Sequence, residues 1–150
     1  MDDHDKHTHD VATCTRAWQT LRLAHDRVAQ RLATELDRAC ALALNEFDVL
    51  FYLRAHDDAV VRVSALLDAV PLSQPALSRL VARLEARGLL SRSGAESDRR
   101  AFVVCLTESG TVLIDRATDV YARAVHDTLT SRLSESERAT LLRTLSQIGQ

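Results

Sequence analysis

A mainly helical protein carrying one small β-wing is the fold that the sequence predicts, and three observations predict it. Four glycines and two prolines among 150 residues leave little material for turns or long loops. Apolar residues make up 46% of the chain, enough for a single real core, and most recur at spacings of three and four. One stretch breaks that rhythm: AFVVCL at residues 101–106, with a shorter run at 89–93, reads as a hairpin whose tip is Gly94 to Arg100. With aromatics at only 4%, sandwich-like β architectures lose ground.

Residues 1–12 hold His4, His7 and His9 among four aspartates without apolar periodicity, and read as a mobile acidic arm with no metal site assigned. Residues 13–150 then form a single domain. Trp18, Leu21, His25, Val28, Leu32 and Leu36 give a first helix an apolar stripe about five turns long. Asn45 is the expected N-cap of a second helix that ends near His56. Val60 to Val63 is β-prone, and Ser64 is the expected cap of a short helix stopped by Pro71. Ser73 caps the next helix, which tolerates Pro75 in its first turn and stops at Gly88. Thr107 caps a long helix after the hairpin, and Ser134 with Glu137 forms a capping box for a last one.

Short helix, tight turn, second helix and hairpin, in that order, make a winged helix-turn-helix, whose second helix enters a DNA major groove. At 100° per residue the helix from Ser73 to Arg87 places Leu77, Leu80, Val81 and Leu84 on one side and Pro75, Ser78, Arg79, Ala82 and Ala86 on the other. Small polar residues let a backbone approach base edges. Ser73, Gln74, Pro75, Ser78, Arg79 and Arg83 are the candidate contacts of this helix. Net charge is −2, yet residues 79–100 carry six arginines against three acids, so a basic face sits on an otherwise acidic chain. Arg100, with Arg99 beside it, stands at the hairpin tip, where a guanidinium can enter a narrow minor groove; Asp98 would orient it.

Asp98, Arg100, Val104, Leu106, Thr107 and Gly110 match the wing pattern DxRxxxVxLTxxG of the MarR-type transcriptional regulators. PLSQPALSRLVARLEARGLLSR and LNEFDVLFYL also resemble that family, over roughly residues 44–110. The resemblance implies a homodimer with intertwined flanking helices, a palindromic double-stranded operator, and repression relieved by a small ligand or by oxidation. It divides the domain into dimerisation helices at 13–43 and 107–150 and a DNA-binding lobe at 44–106. The uncovered apolar stripe of the first helix points to self-association independently.

Related regulators hold aromatic acids or phenols between these parts, which makes Trp18, Arg22, His25, Phe47, Phe51 and Arg54 candidate effector contacts for an aromatic anion. Cys14, near the start of the first helix, gives an alternative: a thiol-sensing repressor of the same fold. A helical interaction module without DNA affinity is the other alternative. No GxSxG, HExxH, CxxC or GxxxxGK motif is present, so neither catalysis nor a cofactor is expected. Three widely spaced cysteines, an acidic N-terminus and the lack of a long apolar run predict a cytoplasmic protein without membrane contact.

Overall fold

The computed structural model describes the backbone of residues 3–56, 61–95 and 98–148, and the side chains of 11–56, 61–93 and 102–148. In chain order the elements are α1 (Asp3–Cys40), α2 (Leu44–Ala55), β1 (Val61–Arg62), α3 (Val63–Ala69) and α4 (Gln74–Ala86). They continue with β2 (Leu90–Ala95), β3 (Asp98–Leu106), α5 (Glu108–Thr128), a 3-10 turn (Thr130–Arg132) and α6 (Glu135–Ile148). The chain divides into two compact units, one comprising α1 as far as Leu32 and the residues from Val125 on, the other Ala33–Ala124.

The Ala33–Ala124 unit holds the core. Leu36 of α1, Leu50 of α2, Leu66 of α3, Leu77 and Leu84 of α4, Val104 of β3 and Ile114 of α5 are completely buried in one cluster. Burying a leucine side chain stabilises by roughly 1.5–3 kcal/mol, so this cluster fixes where α4 lies. The sheet is three-stranded and antiparallel in the order β1-β3-β2, with Val61 opposite Val104 and Leu90 opposite Leu106. Both strands of the wing extend into the stretch expected to be its tip, because the pairing continues past a register shift at Gly94/Ala95 to Ala95 opposite Asp98.

Two glycines shape the joint behind α4. Gly88 has φ +70°, the left-handed conformation that ends a helix at no steric cost. At Gly110 a Cβ would stand 1.9 Å from the Leu89 carbonyl oxygen, so only glycine lets the first turn of α5 come this close. Thr107 closes the joint: its hydroxyl donates to the Gly88 carbonyl (2.7 Å) and accepts the Gly110 N–H (3.0 Å). The LTxxG part of the wing pattern is thus a clamp between the end of α4 and the start of α5.

Three local expectations need correction. The helix expected from about residue 13 begins at Asp3, continuous with the stretch read as an arm; no glycine or proline interrupts residues 3–40, and aspartates suit a helix N-terminus. The N-cap of α2 is Ala43, not Asn45, because the Glu46 carboxylate reaches back to accept the Ala43 N–H at 3.0 Å. Asn45 lies in the first turn, its Oδ1 buried and without a hydrogen-bond partner among the described residues. The N-cap of α3 is Arg62, not Ser64, because the extended Arg62 paired to Val103 leads straight into the helix. Ser73 does cap α4, through its backbone carbonyl and not its hydroxyl.

In the other unit, Ser134 and Glu137 form the expected box at the start of α6, the carboxylate accepting the Ser134 N–H at 2.8 Å and the hydroxyl accepting the Glu137 N–H at 3.4 Å. Leu32 is buried, but several of the unit's apolar residues stay largely uncovered: Trp18 is 62% exposed, Leu142 and Ile148 each 70%. Among the described residues no helix is long and apolar enough to cross a membrane.

Candidate nucleic-acid interface

Helix α4 shows two chemically distinct sides. Leu77, Leu80, Val81 and Leu84 are buried, whereas Ser73, Gln74, Pro75, Ser78, Arg79, Ala82, Arg83 and Ala86 are exposed. The outward side therefore consists of short residues and two arginines. Those two differ. Among the described residues Arg79 has no ion-pair partner. Arg83 turns back to α2 and donates from Nε to Glu46 Oε1 at 2.8 Å, its side chain remaining half exposed.

Glu46 is the only charged residue in the core of the described residues, and three donors surround it: the Ala43 N–H, Arg83 Nε, and Arg87 Nη1 at 2.9 Å. Burial pushes the carboxyl pKa up, but the hydrogen bond from Ala43 and the two guanidinium groups outweigh it and hold the group below the usual glutamate value. Arg87 also donates from Nη2 to the Ala41 carbonyl at 2.9 Å. On the other side of α4, Glu85 accepts from Arg92 Nε of β2 at 2.7 Å, and the Arg92 guanidinium lies 5.9 Å from the ring centre of the exposed Phe102 on β3. Helix α4 is thus braced to α2 by one set of ion pairs and to the wing by another.

None of these braces was expected from the sequence. Arg83 and Arg87 do stand four apart, the one signal that they share a helix face, but Glu46 lies 37 and 41 residues away from them. Asp98, Arg99 and Arg100 fall in the first residues of β3, and their side chains lie outside the described residues, as do those of His4, His7 and His9.

The candidate effector residues fall in different units. Trp18, Arg22 and His25 lie on exposed positions of α1, with Arg22 3.6 Å and His25 3.3 Å from Asp26. Phe47, Phe51 and Arg54 lie on α2. Phe47 is buried and stacks on Tyr121 (centroids 4.5 Å apart) and on the half-exposed Phe51 (5.5 Å), while Arg54 Nε donates to Asp115 at 2.8 Å. Asp48, half buried on the same helix, is pushed above the usual aspartate range by burial, and Tyr121 is raised by burial and by the charge of Asp48. Cys14 is exposed, Cys40 buried and Cys105 half buried, and all three are free thiols.

Helix, turn, helix and a hairpin whose strands pair from Leu90 with Leu106 out to Ala95 with Asp98 define a winged helix-turn-helix. A model of the MarR family matches residues 42–101, which span α2 to the wing. The HTH-type transcriptional regulator PecS of Dickeya dadantii is 30% identical over 126 residues, 81% of this chain and 75% of PecS. The HTH-type transcriptional repressor NicR of Pseudomonas putida is 30% identical over 122 residues, with the same coverage of each chain. Among solved structures, that of the S. aureus MepR–DNA complex superposes with a TM-score of 0.78 at 25% identity, over 87% of this chain and 93% of MepR. The chain belongs to the MarR family of transcriptional regulators.

Proposed function

We propose that this protein is a sequence-specific DNA-binding repressor that acts as a homodimer on a palindromic operator. The observation that carries the reading is the outward side of α4: small residues, and one exposed arginine, Arg79, without an ion-pair partner among the described residues. Ser73, Gln74, Pro75 and Ser78 bring the helix end close to base edges, and Arg79 reaches a guanine or a phosphate. Arg83, held to Glu46 through Nε, has its remaining N–H groups half exposed, which suits a phosphate better than a base. Arg100 enters the minor groove from the wing, with Asp98 orienting it and Arg99 beside it as a further DNA contact. Binding of MepR to DNA and the designation of NicR as a repressor support the reading by likeness.

Dimerisation is supported by the apolar side chains of α1 and α6 that the described residues leave exposed. A two-fold pair would present two copies of α4 about 34 Å apart, one turn of DNA. The effector is a small aromatic anion. Phe51 and Arg54 stand three apart on α2, so a ring stacked on Phe51 places a carboxylate where it competes with Asp115 for Arg54. A gel shift with the intergenic DNA upstream of the protein's own gene tests the reading: retarded complexes that survive excess random duplex are expected, and their release by aromatic carboxylates tests the effector.

A further inference from the structure

The ion pairs around Glu46 join three segments of the Ala33–Ala124 unit. Helix α1 ends in an elbow at Ala41, which adopts φ +50°, a left-handed conformation that alanine takes against its steric preference. The elbow is held by the Ala41 N–H donating to Asp37 (2.9 Å), by the Leu42 N–H donating to Leu36 (3.4 Å), and by Arg87 Nη2 donating to the Ala41 carbonyl. The same guanidinium donates from Nη1 to Glu46 in the first turn of α2, and Glu46 receives Arg83 from one turn earlier on α4. Helix α4 is therefore tied at two successive turns to one carboxylate, and through Arg87 to the carbonyl of Ala41, the first residue beyond α1. The apolar contacts of Leu77, Leu80 and Leu84 fix the depth of α4 and which side of it is buried, but apolar attraction has no preferred direction and leaves the fine setting of its rotation about its own axis to polar contacts. Directional bonds from Arg83 and Arg87 specify that rotation.

We propose that Glu46 and Arg87 form a positioning hub that sets the rotation of α4 from the α1–α2 elbow, and so governs operator affinity without touching DNA. This deepens the DNA-binding reading and rests on it. A shift of the elbow would move the Ala41 carbonyl, draw Arg87 with it, and swing Arg79 away from its base.

Arg87→Lys tests the hub, because an ammonium keeps the charge beside Glu46 but cannot span Glu46 and the Ala41 carbonyl with two separate nitrogens. The full chain and the variant are titrated with the upstream duplex and with a shuffled duplex, and hydrogen exchange is followed in α4 without DNA. Affinity for the upstream duplex should fall about tenfold, the worth of one misdirected base contact, with the shuffled duplex changed by less than about twofold. Amides of α4 should exchange faster while those of β2 and β3 keep their rates. A folded variant that binds both duplexes like the parent, or that loses both alike with α4 exchange unchanged, overturns the hub. If the parent itself shows no preference for the upstream duplex, the DNA-binding reading fails, and α4 exchange alone then decides the hub. Should Arg87→Lys fail to fold, Glu46→Gln, which keeps shape and removes charge, is judged by the same readouts.

Discussion

The two units treat their apolar residues in opposite ways. In the unit from Ala33 to Ala124, Leu36, Leu50, Leu66, Leu77 and Leu84 are completely covered by the unit's own side chains. In the other, Trp18 of α1 and Leu142 and Ile148 of α6 stay largely in solvent although each belongs to an apolar helix stripe in the sequence. The same sequence pattern therefore carries two meanings. In the first it specifies a self-sufficient lobe, and in the second it leaves an exposed apolar surface, which the proposed homodimer would cover.

Substitutions should separate these meanings. Leu77→Ala leaves a cavity beneath α4 and is expected to lower unfolding free energy by about 2–5 kcal/mol at every protein concentration, measured by urea denaturation. Leu142→Ala, by contrast, should act through association: the melting temperature becomes more dependent on concentration, and sedimentation shows a weakened dimer. A wild-type protein that sediments at 16.6 kDa at micromolar concentration would remove the second meaning altogether. Gly110→Ala should rank next, destabilising by about 1–3 kcal/mol, because the new methyl meets the Leu89 carbonyl and either α5 or the end of α4 must shift.

A smaller effect distinguishes two acids on α2. The folded-state pKa of Glu46 is below its usual 4.5, so its contribution to stability is complete above that value and is lost as pH falls through the folded-state value. Asp48 has the opposite sign. Burial raises its folded-state pKa above 3.8, so it costs stability at neutral pH, and the cost disappears as pH falls below 3.8. Glu46→Gln should flatten the acid limb of a stability-versus-pH curve, and Asp48→Asn should raise stability at pH 7. An unchanged acid limb in Glu46→Gln would show that the three donors around the carboxylate are not holding it ionised.

The same division governs how much the sequence reveals. Signals confined to one turn are legible: Gly88 as a helix stop, the Ser134–Glu137 box and the Thr107 cap stand where their chemistry places them. The wing pattern locates β3 and marks Gly110, although the reason for that glycine, a carbonyl 1.9 Å from any Cβ, comes only from packing. Signals that depend on distant partners mislead. Asn45 and Ser64 are good capping residues, yet Ala43 and Arg62 occupy the caps, since Glu46 and the β1–β3 pairing decide where the helices start. Arg79 and Arg83 look equivalent along the chain, and only the position of Glu46 sets them apart.

That distinction is the centre of the account, and one comparison tests it most directly. Operator and random-sequence duplexes are titrated against Arg79→Ala at several salt concentrations, with Arg83→Ala in parallel. Loss of a base contact should cost Arg79→Ala about 1–3 kcal/mol of its preference for operator over random DNA. Arg83→Ala, if its remaining N–H groups meet a phosphate, should weaken both duplexes more nearly alike and reduce the salt slope by about one. An Arg79→Ala protein that keeps the parent's full preference for operator would contradict the assignment of the outward side of α4 to the major groove.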